Sequence, residues 1–78
     1  MKIAIIDWTD SVTHDPNQHY TAGDVFPLIH MVSCGVLVNQ DADGITIAAD
    51  GITGGEYRFT STVCKKQINK YIILDVKI

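Results

Sequence analysis

Hydrophobic positions along the chain occur in short runs separated by polar turn residues, a pattern typical of small β-proteins. The runs predict five strands, at 2–8, 33–39, 45–49, 56–62 and 71–78. The segment 64–68 is polar with a single apolar residue and predicts one helical turn before the last strand. Residues 25–31 are apolar but contain Pro27, which predicts an edge segment or a lead-in to the second strand.

Turn-forming residues fill the gaps between these runs. Residues 9–24 show little apolar periodicity and predict a long loop, and long loops in small domains are often functional. Residues 40–44 predict a hairpin turn in which the step from Asp43 to Gly44 supplies a positive φ angle. Residues 50–55 predict the next loop.

Together these elements predict an all-β fold, a small five-stranded SH3-like or Sm-like barrel with one short helical turn before the last strand. An OB-like barrel is the alternative. The short chain and the place of the helical turn, between the fourth and fifth strands, favour the SH3-like form. The 78 residues amount to about half of a typical domain, so we expect a single domain covering 1–78.

The last strand carries apolar residues on both of its faces, Tyr71 and Ile73 on one and Ile72 and Leu74 on the other. A domain of this size buries only about 60% of its chain surface on folding, which leaves its stability marginal. One face of the last strand would fill the core, and the other needs cover. We therefore expect a homo-oligomer.

The charges are unevenly distributed along an acidic chain of net charge −3. Residues 1–57 hold one lysine against seven aspartates and one glutamate, a net −7, whereas residues 58–78 carry a net +4. The two segments could pair with each other, within one molecule or between subunits, or the basic groups could bind a small anionic ligand such as a mononucleotide or dinucleotide. The overall acidity argues against a nucleic-acid polymer as partner.

The two cysteines, Cys34 and Cys64, are too few and too far apart for a disulfide framework, which favours a reduced, cytosolic setting. The N-terminal apolar run covers only residues 3–6. It is too short for the core of a signal peptide or for a membrane span, so we expect a soluble protein with no membrane partner.

The sequence shows no set of residues that supports catalysis. His14 and His19 have a spacing that is common by chance, and no further ligand pair accompanies them, so we expect no metal. Cys64 has lysine neighbours but no histidine near it in sequence. The aspartates fall mostly in turns or at strand ends, where capping explains them. We therefore expect a protein that is not an enzyme and that has no cofactor.

One candidate binding group lies where the first strand meets the long loop. Trp8, Asp10 and Ser11 place an aromatic ring, a carboxylate and a hydroxyl together, a set that could stack on a base and bind its polar edge. The alternative is that Trp8 belongs to the core and that Asp10 and Ser11 cap a turn.

A second candidate group follows Tyr57, an aromatic residue that could also stack on a base. Its phosphate-binding members are a guanidinium, hydroxyls and an ammonium, at Arg58, Thr60, Ser61 and Lys65. The alternative is a solvated edge strand.

Four short motifs, taken in order, resemble a widespread group of short phage-encoded β-barrel proteins. They are Ile-x-Trp-x-Asp-Ser at 6–11, Ser-x-Gly-x-Leu-Val at 33–38, Asp-Gly-Ile-Thr-Ile-Ala at 43–48 and Lys-x-x-Ile at 65–68. This chain has Val36 where the group usually has an aromatic residue and Cys64 where it has a proline.

Compact phage proteins of this size include anti-defence sponges, such as the anti-CBASS proteins, which hold cyclic GMP-AMP without cleaving it. The resemblance implies that this protein sequesters a cyclic dinucleotide or trinucleotide alarm signal in the cytoplasm of an infected bacterial host. The alternative is a structural or protein-binding adaptor that inhibits a host protein through the barrel surface. An RNA-binding, Sm-like ring is a weaker possibility because the chain is acidic.

Overall fold

The computed structural model describes residues 1–10, 28–52 and 55–77. They form five strands and one 3₁₀ turn, η1, and the prediction of an all-β fold is confirmed. The elements in chain order are β1 (Lys2–Asp10), β2 (Ile29–Gln40), β3 (Gly44–Ile52), β4 (Glu56–Cys64), η1 (Lys65–Gln67) and β5 (Ile68–Asp75).

Each predicted strand exists, but most are longer than predicted. β1 continues through Asp10 and β3 through Ile52, both into segments expected to be loops, and β2 begins at Ile29. The predicted helical turn is confirmed as η1, after which β5 begins three residues earlier than expected, at Ile68. The rest of the predicted long loop, from Ser11 onward, lies outside the described residues.

The strands form one antiparallel sheet in the order β4-β3-β2-β1-β5. β1 is therefore an interior strand, paired with β2 on one side and with the last strand on the other. One face of β1 is buried in the core through Ala4 and Ile6, whereas Ile3 and Ile5 on its other face are partly exposed. In the described residues β4 and β5 do not pair with each other, so the sheet is not closed.

The sheet is strongly bent within β2. The register shifts between Leu37 and Asn39, and a Cβ atom at Gly35 would lie only 2.7 Å from the carbonyl oxygen of Ala48. Glycine therefore permits the close approach of β2 and β3 at the bend. Beyond it, the amide Nε2 of Gln40 donates a hydrogen bond of 2.9 Å to the Tyr71 hydroxyl on β5, although β2 and β5 are not neighbours in the sheet.

The core lies inside this bend. Its buried side chains come from β1, β3 and β4, and β1 is not adjacent to the other two strands in the sheet. These side chains are Ala4, Ile6, Ile45, Ile47 and Val63. Trp8, Leu37, Ile68 and Ile73 pack against them and are partly buried. Burial of this apolar surface is the main force that holds the bent sheet together.

The turn between β2 and β3 differs from the predicted hairpin. Among the described glycines the positive φ belongs to Gly55, not to Gly44, so the prediction of a positive φ at Gly44 was wrong. The turn is held instead by the carboxylate of Asp41, which accepts hydrogen bonds from the backbone N–H groups of Asp43 at 2.8 Å and Gly44 at 3.1 Å. Gly44 is required for a different reason: a Cβ there would lie 2.3 Å from the carbonyl oxygen of Val63.

No helix in the described part of the chain is both long and apolar enough to cross a membrane.

Candidate functional site

A cleft with a volume of about 400 Å³ lies where the β2–β3 turn meets η1 and the start of β5. Ile45 and Ile68 provide apolar walls. The polar side chains that line it are Gln40, Asp41, Lys65, Asn69, Lys70 and Tyr71. A volume of this size falls within the range of about 300–1,000 Å³ that is usual for small-molecule sites.

Two hydrogen bonds position the walls of this cleft. The backbone N–H of Lys65 donates to the carbonyl oxygen of Asp43 at 2.8 Å, which joins η1 to the β2–β3 turn. The hydrogen bond from Gln40 to Tyr71 joins the end of β2 to β5. The cleft is therefore formed by elements fixed to one another and not by a single loop.

The two lysines give the cleft its positive charge. The Lys70 ammonium lies 4.0 Å from a carboxylate oxygen of Asp7. Lys65 has no ion-pair partner within 4.0 Å among the residues that the structure describes. Lys65 is therefore the cation most available to an anionic ligand.

The carboxylate of Asp41 adds one negative charge to the cleft wall. Hydrogen bonds from the backbone of Asp43 and Gly44, with a smaller effect from the Asn39 amide, hold its pKa below the ordinary aspartate value. Asp41 therefore stays ionised at neutral pH, and its Oδ1 is bound to the backbone of the turn. The cleft wall thus carries one negative charge beside the ammonium groups of Lys65 and Lys70.

This arrangement suits a ligand that has both anionic and aromatic parts. Ammonium groups bind phosphate oxygens, the amides of Gln40 and Asn69 can bind the polar edge of a base, and the isoleucines offer an apolar surface. Among residues 1–10, 28–52 and 55–77 there is no group of three or more His, Cys, Asp or Glu side chains that could hold a metal ion. His14 and His19 lie outside these ranges.

The first predicted binding group is divided by the structure. Trp8 is half-buried against the core, and its indole Nε1 donates a hydrogen bond of 2.9 Å to the Ser33 hydroxyl. On β5 the residue paired with Trp8 is Ile68, which lines the cleft of about 400 Å³. Asp10 lines a second cleft of about 280 Å³ on another side of η1, together with Lys66. Ser11 lies outside the described residues.

The second predicted group is spread along β4. Tyr57 lines a separate depression of about 220 Å³ near Lys2. Arg58 forms an ion pair of 2.9 Å with Asp50, and Thr60 and Ser61 are exposed along the edge strand. A strand rises by about 3.3 Å per residue, so Tyr57 lies on the order of 20 Å from the end of β4 where Lys65 follows. Of the predicted residues that the structure describes, only Lys65 lines the cleft of about 400 Å³.

Five polar residues of the cleft were not predicted as site residues from the sequence: Gln40, Asp41, Asn69, Lys70 and Tyr71. Gln40 and Tyr71 are joined by the bend of β2, a tertiary feature that periodicity does not reveal. Asn69 is the extra residue where the pairing of β1 and β5 shifts register. The local sequence signal that could have drawn attention to this segment is the polar pair Asn69 and Lys70, which interrupts an otherwise apolar run.

Comparison of the chain with protein-family models, curated proteins and solved structures finds no match in any of the three. The case for a function therefore depends on the geometry of the site and on the residues themselves.

Proposed function

We propose that this protein binds a small phosphate-bearing ligand, a cyclic dinucleotide or trinucleotide, in the cleft beside η1 and holds it without chemical change. The observation that carries the proposal is the Lys65 ammonium, which has no described ion-pair partner and lines a cleft with apolar walls together with Lys70. A single pocket with two ammonium groups suits a small anion, whereas a nucleic-acid polymer would need a broad basic surface.

The biological role follows from the resemblance of the four sequence motifs to short phage proteins. On that basis the ligand is a host alarm signal such as cyclic GMP-AMP, the protein acts in the cytoplasm of the infected bacterium, and sequestration without cleavage is the means of immune evasion. The candidate cleft contains no paired nucleophile and base among its lining residues, which is compatible with binding alone.

We also propose that the bent sheet is an SH3-like barrel. Three features support this architecture: β1 lies between β2 and β5, a 3₁₀ turn connects β4 to β5, and the bond from Gln40 to Tyr71 crosses the concave side of the sheet. In this architecture the cleft lies where the turn between β2 and β3 approaches the start of β5.

Isothermal titration calorimetry with a panel of cyclic dinucleotides and trinucleotides tests the proposal, with Lys65→Ala as the site variant. Loss of a charged phosphate partner costs about 1.5–3 kcal/mol, so we expect the affinity to fall by roughly ten- to a hundredfold. Lys66→Ala is the matched control: Lys66 is the next residue of the same turn but lines the second cleft, so it should leave affinity nearly unchanged.

The converse result, a large loss with Lys66→Ala and none with Lys65→Ala, would move the site to the cleft that contains Asp10. Ligand recovered intact after the complex is heated supports sequestration, whereas recovery of a linear product contradicts it. If no cyclic oligonucleotide binds more tightly than about millimolar, the proposed ligand is wrong.

The adaptor function is the second candidate, and the exposure of β4 favours it. β4 is an edge strand whose outer backbone groups could pair with a partner strand, and Phe59 on it is 77% exposed. A partner that docks there should lose affinity with Phe59→Ala and be unaffected by Lys65→Ala, the reverse of what nucleotide binding predicts.

A further inference from the structure

The side of the sheet that faces away from the core carries a continuous apolar surface, which we call the outer face. It is built from β1, β2 and β5, whose directly opposed residues share one side of the sheet. Its apolar members are Ile3, Ile5, Val32, Cys34, Val36, Ile72 and Leu74.

Several of these side chains are well exposed in the single chain. Val32 is 68% exposed, Ile72 57% and Leu74 46%. Isolated apolar residues on a surface are ordinary, but a continuous group on three adjacent strands marks an interaction surface. β1 and β5 also have the uninterrupted apolar runs that are typical of strands covered on both faces.

We propose that the outer face is the interface of a homodimer, in which a second copy of this chain packs its own outer face against the first. This inference is separate from ligand binding, because none of the seven apolar residues of the outer face lines the proposed ligand cleft, although β2 and β5 contribute to both.

The size of the face suits the centre of an interface between two copies. Three strands spaced about 4.8 Å apart, with roughly five residues of 3.3 Å each, give a face of about 15 Å by 15 Å, or about 225 Å², in projection. A specific interface buries at least about 500 Å² from each copy. The outer face would therefore form the apolar centre, and the residues around it would form the polar rim.

The charges of the face also fit a copy of itself. Its described ionisable groups are at one end, where Asp7 is hydrogen-bonded to His30 and lies 4.0 Å from Lys70. The charge of Asp7 is thus compensated within each copy, so two outer faces do not bring unpaired like charges together.

The small core favours a permanent partner over a transient one. The buried apolar side chains of the described residues are mainly alanine, valine and isoleucine, and only Ile6 among the larger ones is fully buried. A domain of this size gains stability from any apolar area that it can bury. A second copy of the chain is always present to cover the outer face. If the partner were a different protein, the outer face would stay exposed to water until that protein bound.

The first test is the mass of the full chain by sedimentation equilibrium over a range of concentrations. We expect a dimer of twice 8.6 kDa. Ile72→Lys or Leu74→Lys should weaken dimerisation by about a hundredfold or more, since each residue lies opposite an isoleucine of β1 and the new charge would be buried without a partner. Both positions are exposed in the single chain, so the variants should still fold, which circular dichroism checks. Phe59→Lys, an equally exposed site on β4, is the control and should leave the dimer intact.

The second test uses Cys34, which is exposed near the middle of the outer face and opposite Ile5. In a two-fold interface a central residue meets its own copy. In a Cys64→Ser background, a short bis-maleimide should therefore crosslink the wild-type Cys34 into dimers and should not crosslink the Ile72→Lys variant. A monomer at all concentrations, as would result if another segment of the chain covers the face, overturns the proposal. The proposal is also overturned if the protein is a dimer that Phe59→Lys disrupts and that both outer-face variants leave intact.

Discussion

Gln40 and Tyr71 lie on strands that are separated by β1 in the sheet, yet the amide of one donates to the hydroxyl of the other across 2.9 Å. This contact exists because β2 bends at Gly35 and again where its register shifts near Asn39. The bend brings the β2–β3 turn over the start of β5 and encloses the candidate cleft. The hydrogen bond and the candidate cleft therefore depend on the same bend of the sheet.

Removing either partner of this bond should therefore destabilise the bent sheet. We expect Gln40→Ala and Tyr71→Phe each to lower the free energy of unfolding by about 0.5–1.5 kcal/mol, the usual net value of one hydrogen bond. Urea denaturation of both single variants and the double variant measures the coupling. The double variant should be little worse than either single one, and fully additive losses would show that the bond contributes nothing.

Gly44 should not tolerate even the smallest side chain. A methyl group there would lie 2.3 Å from the Val63 carbonyl oxygen, so Gly44→Ala must move the backbone of β4. We expect a loss of about 1–3 kcal/mol, the usual cost of overpacking. Gly51→Ala is the control, because its new Cβ would meet nothing closer than 3.8 Å. Equal stability of the two variants in thermal denaturation would contradict the close contact.

Phe59 should be replaceable with a gain in stability. Its φ angle of 54° lies in the left-handed region, which a bulky residue rarely adopts, and its side chain is exposed. Asparagine tolerates this conformation, so relief of the strain in Phe59→Asn should raise the free energy of unfolding by about 1 kcal/mol. Loss of the contact between the Arg58 guanidinium and the Phe59 ring should lower it by roughly 0.5 kcal/mol, which leaves a net gain. Thr60→Asn, at a neighbouring position without a positive φ, should give no gain. A net loss with Phe59→Asn would argue that the ring makes a contact worth more than the strain.

The carboxylate of Asp7 should make stability depend on acid pH. The hydrogen bond from His30 first, and then that from Asn69, holds the pKa of Asp7 below the ordinary value of 3.8. A group whose pKa is lowered on folding stabilises the protein above its unfolded pKa, and this contribution is lost as the pH falls through the folded pKa. Wild type should therefore exceed Asp7→Asn in stability at pH 6, and the difference should shrink below about pH 4. A difference that grows towards acid pH in urea titrations would reverse the sign and exclude this account.

Local sequence information was sufficient for the secondary structure because each strand has its own apolar run and each break its own turn residues. The five strands and η1 were predicted in the correct order for this reason. The ends of β1 and β3 were missed, since Asp10, Asp50 and Gly51 are poor strand formers that the sheet nevertheless pairs with a neighbouring strand. Tertiary pairing outweighs a weak local preference.

The candidate site was harder to predict than the fold. Lys65 was found because its charge is visible in the sequence. The hydroxyls and the guanidinium of β4 look concentrated in the sequence, but an extended strand distributes them over a long edge, and Arg58 is paired with Asp50. The other cleft residues come together through the bend in β2, which depends on the close contact at Gly35 and not on any motif. The stacking role of Trp8 and the oligomeric state stay predictions.

The pairing of β1 with β5 also determines the order in which the protein can fold. Lys2 pairs with Asp75, which is 73 residues later in the sequence, whereas β2, β3 and β4 follow one another with only three residues between successive strands. Closing a long loop costs more entropy than closing a short one, so the three-stranded meander should form early and the β1–β5 ladder late. During synthesis β1 emerges first but has no partner on its β5 side until the last strand follows. Until then one edge of an isoleucine-rich strand is open, which makes the nascent chain most prone to aggregation in that interval.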